Sequence, residues 1–257
     1  MPKVFIFAIL AALGVMLVPD MAWAQSLTLD LGSGAADAGE SGTTVAGRVI
    51  QLILVMTVLS LAPSLLMMMT SFTRIVVVLS FLRTALGTQQ TPPTTVLLSL
   101  AMFLTFFVMA PTFQASYEQG IKPVMEGRVG EVEGVTAGLV PFKEFMARHT
   151  REKDLALFLN ISNTPVPETA VETPMQVLIP AFMISELRRA FEIGFLLFLP
   201  FLIIDMVTAS ILMSMGMMML PPVMISLPFK IIFFVLVDGW YLVAGSLVQS
   251  FGAGAAG

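Results

Sequence analysis

The sequence predicts an all-α, membrane-associated protein, on three observations. The chain has 257 residues, of which 57% are hydrophobic and only 12% charged, and its mean hydropathy is +0.92. A soluble domain carries about 45–50% apolar and about 25% charged residues, so this chain needs a bilayer or a large subunit interface to cover its surplus. Four long apolar runs each approach the ~20 residues that cross a hydrocarbon core, and none shows the period-two alternation of a strand. A polar insert between the second and third runs holds half of the charged side chains in about a quarter of the length. The expected architecture is four long hydrophobic helices in two helical hairpins, with a small helical periplasmic insert, after a cleaved signal peptide.

Residues 1–24 read as that signal peptide. Lys3 gives a basic start, Val4 to Val18 an apolar stretch, and Ala22-Trp23-Ala24 a small-x-small site, placing cleavage between Ala24 and Gln25. Residues 25–47 are rich in Gly, Ser and Asp and read as a flexible exported tail. The first hairpin, 48–114, contains the run Val49 to Met69, interrupted by Gln51 and Pro63, and the run Thr94 to Phe113, ending near Pro111. The intervening 71–93, with Arg74 and Arg83 beside an apolar stretch too short to span, reads by itself as a cytoplasmic linker. The insert, 115–179, contains Phe142, Phe145, Met146, Leu155, Phe158 and Leu159 at helical spacing. The second hairpin, 180–250, opens on a charged amphipathic lead-in. It continues through Ile193 to Met213, with Pro200 and Asp205, and Val223 to Val248, with Pro228, Lys230 and Asp238. Residues 251–257 form a short C-terminal tail. Loop charge puts 70–93 inside, and the acidic insert and both termini outside. Arg188 and Arg189, just before the third run on the outer side, go against that count.

The composition excludes several functions. A net charge of −4 offers no polyanion-binding surface, so nucleic acid is not an expected partner. The absence of cysteine removes thiolate chemistry and cysteine-based zinc sites, and a single histidine, His149, cannot make a two-histidine metal site. No HExxH, GxxxxGK[ST] or GxSxG string occurs. The expectation is a non-enzyme without cofactor or metal.

Three features carry chemistry. Asp205, Lys230 and Asp238 are ionisable groups within apolar runs, where each costs about 2.5–3.5 kcal/mol on insertion scales. They read either as a proton or ion relay or as a buried pair that fixes assembly. The second is favoured, because a relay would bring more titratable groups. The stretch 213–219 reads MSMGMMM before Leu220-Pro221-Pro222. Methionine is flexible and apolar, so such a loop suits a deformable seal, beside the plainer reading of core packing. In 180–207, Ile184, Leu187, Phe191 and Phe195 line one helical face, and Glu186/Arg189 and Arg188/Glu192 stand at pairing distance.

The string Pro180-Ala181-Phe182, Ser185-Glu186-Leu187, Phe191 and Gly194 resembles the signature of the FliP/SctR family. So do 200–207 (PFLIIDMV), 216–222 (GMMMLPP), 225–240 (ISLPFKIIFFVLVDGW) and 71–83 (SFTRIVVVLSFLR). The signal peptide and the VLVDGW ending point to the flagellar branch. The resemblance covers about 48–251. It implies a subunit of the flagellar type III protein export gate, needed for flagellum assembly and placed in the bacterial inner membrane within the flagellar basal body. It implies five copies assembled with FliQ and FliR, with FlhB and FlhA alongside, and unfolded flagellar proteins as cargo. Met215, Met217, Met218 and Met219 would form the gasket around the closed pore, and Asp205 and Lys230 an intersubunit ion pair. The competing reading is a proton-coupled secondary transporter using Asp205, Lys230 and Asp238, although the internal repeats common in transporters are not found.

Overall fold

The computed structural model describes residues 45–88, 90–167, 169–217 and 220–252, and every regular element among them is a helix. The chain divides into two units, Met1–Gln51 and Leu52–Gly257. The first unit is described only from Val45, where helix α1 (Val45–Met68) begins. The expected signal peptide, its Ala24–Gln25 cleavage and most of the 25–47 tail lie outside the described residues, as do Met218, Met219 and residues 253–257.

In the second unit, the expected linker 71–93 is corrected to a helix, α2 (Phe72–Leu86), at the centre of the core. Ile75, Val78, Leu79, Leu82, Ala85 and Leu86 recur at the 3–4 spacing of one buried helical stripe. Fully burying each large member contributes about 1.5–3 kcal/mol relative to aqueous exposure. Gly87 ends the helix in the left-handed region at φ 75°, its N–H bonding the Thr84 carbonyl at 3.0 Å. A side chain there would be strained, which is why glycine closes so many helices.

Helix α3 (Thr94–Ser116) does not stop near Pro111 as expected; the proline lies inside it. It continues through a π-helical turn (Tyr117–Ile121) into α4 (Lys122–Met125), giving a 32-residue helical stretch from Thr94 to Met125. Helix α5 (Glu131–His149) then folds back. A Cβ on Gly120 would come within 2.7 Å of the Gly138 Cα and 2.8 Å of the Gly134 carbonyl, so the close crossing depends on glycine. Glu131 and Glu133 at its start and Arg148 at its end complement the helix dipole. Helix α6 (Glu152–Ile161) completes the insert.

Helix α7 (Met175–Ser214) runs unbroken for 40 residues with Pro180 and Pro200 inside it. At 1.5 Å per residue it is about 60 Å long, twice the ~30 Å of a bilayer core. The lead-in and the third run are therefore one rod. Helix α2 lies along it in the same direction: Arg74 meets Glu186, Phe81 packs on Phe191 and Gly194, and Ala85 meets the Lys230–Asp205 pair.

The apolar face of α7 formed by Ile184, Leu187, Phe191 and Phe195 is not the face it buries. Ile184, Phe191 and Phe195 are exposed, whereas Ala181, Phe182, Ser185, Glu186, Ala190 and Gly194 are buried. Burial follows partner availability: Arg74 on α2 waits for Glu186, and a Phe81 ring occupies the space that Gly194 leaves.

The fourth expected run is also broken. Helix α8 (Pro222–Leu236) and helix α9 (Gly239–Gly252) meet at a bend of 64°. Asp238 takes φ 49° at the break, a conformation that aspartate tolerates better than most residues. The Phe234 ring fills the space that a Cβ on Gly239 would need and meets Trp240 edge-on at 5.3 Å. Among the described residues, two helical stretches are long and apolar enough to cross a membrane, Thr94–Met125 and Met175–Ser214, and α8 with α9 gives a third if counted as one span.

Candidate functional site

Asp205 on α7 and Lys230 on α8 are brought together by the turn between those helices. Lys230 Nζ lies 2.6 Å from Asp205 Oδ2. Ser226, one turn before Lys230, donates its hydroxyl to Asp205 Oδ1 at 2.6 Å. Lys230 Nζ also donates to the Ala85 carbonyl at 3.2 Å, in the last turn of α2. The ammonium thus neutralises one carboxylate and caps the negative end of a helix. Its side chain is only 5% exposed, whereas that of Asp205 is 35% exposed. The pair expected between subunits is closed here within one chain, with an open edge on the acid side. Ser226 and the Ala85 carbonyl were missed in the sequence; the i, i+4 spacing of Ser226 and Lys230 was the available signal.

Asp238, the third residue of the relay reading, is exposed and takes no part in this cluster. Its carbonyl accepts the Leu242 N–H at 3.1 Å, the first helical bond of α9. Among the described residues, no group of histidine, cysteine or carboxylate side chains could hold a metal ion.

The methionine turn follows α7 directly. Gly216 takes φ 75°, its N–H bonding the Met213 carbonyl at 3.1 Å, while Met217 N–H bonds the Leu212 carbonyl at 3.0 Å. Pro221 and Pro222 open α8, where a missing N–H costs no helical hydrogen bond. Met215 and Met217 are 60% and 41% exposed, so neither belongs to the core of this chain.

The signature stretch separates into two roles. Ala181, Phe182, Ser185, Glu186 and Gly194 are buried, Pro180 and Leu187 are half-buried, and Phe191 is exposed with its ring edge-on to Phe81 at 5.0 Å. Ser185 Oγ donates to Asp154 Oδ2 at 2.7 Å and accepts the Arg151 N–H at 3.1 Å. Arg151 also grips Asp154 through Nε and Nη2 at 2.8 and 2.9 Å. Burial pushes the Asp154 carboxyl up, but Ser185 and Arg151 outweigh it and hold the group below the usual carboxylate range.

Glu186 does not pair with Arg189 as its spacing suggested. Both of its oxygens accept from Arg74, at 2.9 Å from Nε and 2.5 Å from Nη2, and both side chains are fully buried. The Arg188–Glu192 pair does form, at 2.8 Å, on the surface. Because Arg74 is buried, it says nothing about which side of a membrane its segment faces, and the loop-charge count loses one of its two votes.

Residues 55–247 match the profile of the FliP family. The chain is 59% identical over 253 residues to the flagellar biosynthetic protein FliP of Caulobacter vibrioides, covering 98% of this chain and 92% of that protein. It is 59% identical over 202 residues to the protein of that name from Bacillus subtilis, covering 79% and 91%. It is 46% identical over 249 residues to that of Rhizobium meliloti, covering 96% and 97%.

Proposed function

The chain belongs to the FliP family, and from that premise we propose that it is a subunit of the flagellar type III protein export gate. The observation that carries this reading is near full-length similarity to proteins named for flagellar biosynthesis. The fold supports it: apolar helices suited to a membrane and a turn with exposed methionines.

In this proposal several copies, five on the family resemblance, join FliQ and FliR in the inner membrane at the base of the flagellum. FlhA and FlhB work beside them, and unfolded flagellar subunits are the cargo. The mature chain follows signal cleavage after Ala24 and places its four hydrophobic segments in two hairpins. Met215, Met217, Met218 and Met219 line the closed pore. The exposed edge of Asp205 faces a neighbouring copy, so that the pair formed with Lys230 inside one chain also bears on subunit contact.

Replacing Met217, Met218 and Met219 together with alanine tests the seal. The particle co-purified with FliQ and FliR should keep its mass and symmetry, while reconstituted vesicles leak small ions. A tight vesicle with an intact particle would remove the methionines from the pore.

A further inference from the structure

The end of α9 is held by an arrangement that the gate reading does not use. Arg74 directs Nε and Nη2 at Glu186 and donates Nη1 to Ser250, at 2.9 Å to the hydroxyl and 3.2 Å to the carbonyl. Its Cζ also lies 3.7 Å from the centroid of the Phe251 ring. One buried guanidinium thereby ties α2, α7 and the last turn of α9 together. His149, at the end of α5, supplies a second hold. Its ring packs against Phe145 and Phe251 at 4.5 and 5.5 Å between centroids. Nδ1 lies 2.8 Å from the Phe145 carbonyl and Nε2 3.4 Å from the Phe251 carbonyl.

Both imidazole nitrogens therefore face acceptors, and a neutral ring has only one N–H. The shorter contact takes that proton, leaving Nε2 lone pair to lone pair with Phe251. A second proton would satisfy that carbonyl. It would also place a new cation in a half-buried site beside Arg74, with Arg148 next in sequence. Glu186, the carboxylate of this cluster, already has both oxygens on Arg74, and α9 brings backbone carbonyls rather than a counter-charge to the ring.

We propose that the last turn of α9 is a releasable latch, closed on Arg74 and His149 and opened by protonation of the imidazole. Burial comes first, and Arg74 and Arg148 add to it, in holding His149 below the usual imidazole range against the pull of the two carbonyls. A latch whose closed form resists the proton is favoured above about pH 6.5, the ordinary value of a free ring, and weakens as pH falls from there.

Hydrogen–deuterium exchange on the full chain in detergent tests this at pH 7.5 and pH 5.5, with rates corrected for intrinsic exchange. Amides of 247–252 should lose protection at the lower pH by up to about tenfold, the ceiling set by an open-form imidazole titrating at its ordinary value, while those of α2 hold theirs. His149→Gln should abolish the difference. Arg148→Gln, a surface change that leaves the latch contacts in place, should move the midpoint to higher pH. Equal protection at both pH values, greater protection in acid, loss shared with α2, or a pH response that survives His149→Gln would each overturn the latch.

Discussion

At the residue scale, the two ion pairs should respond differently to mutation because they differ in exposure. Glu186→Gln leaves Arg74 charged and fully buried, and breaking a buried pair from one side costs about 3–5 kcal/mol. Thermal unfolding in detergent should show that loss, and the double change Arg74→Met with Glu186→Leu should show a smaller one. At the Asp205–Lys230 pair, Asp205→Asn strands an ammonium that is 5% exposed, whereas Lys230→Met leaves an aspartate that still has Ser226 and solvent. The first change should therefore destabilise more than the second. Exchanging the two residues should restore only part of the loss, because an aspartate at 230 would face the Ala85 carbonyl at the negative end of α2. A swap no better than the worse single variant would remove pairing as the explanation. Asp154 adds a pH dependence of known sign. Its carboxyl is depressed in the fold, so its contribution is complete above about pH 3.9, the unfolded value, and is lost as pH falls through the folded value. Asp154→Asn should flatten that part of an acid-unfolding curve.

At the element scale, the α2–α7 contact is the most exposed to test. A Cβ on Gly194 would lie 2.6 Å from Phe81 Cδ2 and 2.8 Å from its Cγ, so Gly194→Ala must displace the ring or the helix. Overpacking of this kind costs about 1–3 kcal/mol, and Phe81→Leu in the same chain should recover part of it in a thermal shift. The same contact shows what could be read from sequence. The helical spacing of Ile75, Val78, Leu79 and Leu82 was visible in 71–93 and was passed over because the run is too short to span, although a core helix has no such length requirement. Which face of α7 packs inward was not visible, since Ile184, Phe191 and Phe195 are as apolar as any core residues. The choice was made by a distant arginine, and periodicity along one helix cannot locate a partner on another. The pairing of Asp205 with Lys230 was legible, because two opposite charges in apolar runs have few other places to go. The bend at Asp238 was masked by hydropathy, which registers the apolar character of α8 and α9 but not a backbone turn between them.

At the scale of the whole molecule, the second unit leaves much of its apolar surface uncovered. Ile203, Met206, Ile232, Val235 and Leu236 are all more than half exposed, and apolar areas of this kind mark membrane or protein contact. The chain purified without FliQ and FliR should stay dispersed only in detergent. Co-purification should then reduce the detergent bound per copy, measured by refractometry coupled to light scattering. Unchanged detergent per copy would assign that surface to lipid alone.

The 40 residues of α7 also have a mechanical meaning. Asp205 ties the rod to α8, about 28 Å along the axis from Glu186 and about 13 Å from Ser214 at 1.5 Å per residue. If that tie acts as a fulcrum, the two arms stand at about two to one. A tilt that moves the Glu186 end by 2 Å then reaches the methionine turn as about 1 Å in the opposite sense. The helix would gear motion down, trading travel for force at its short end.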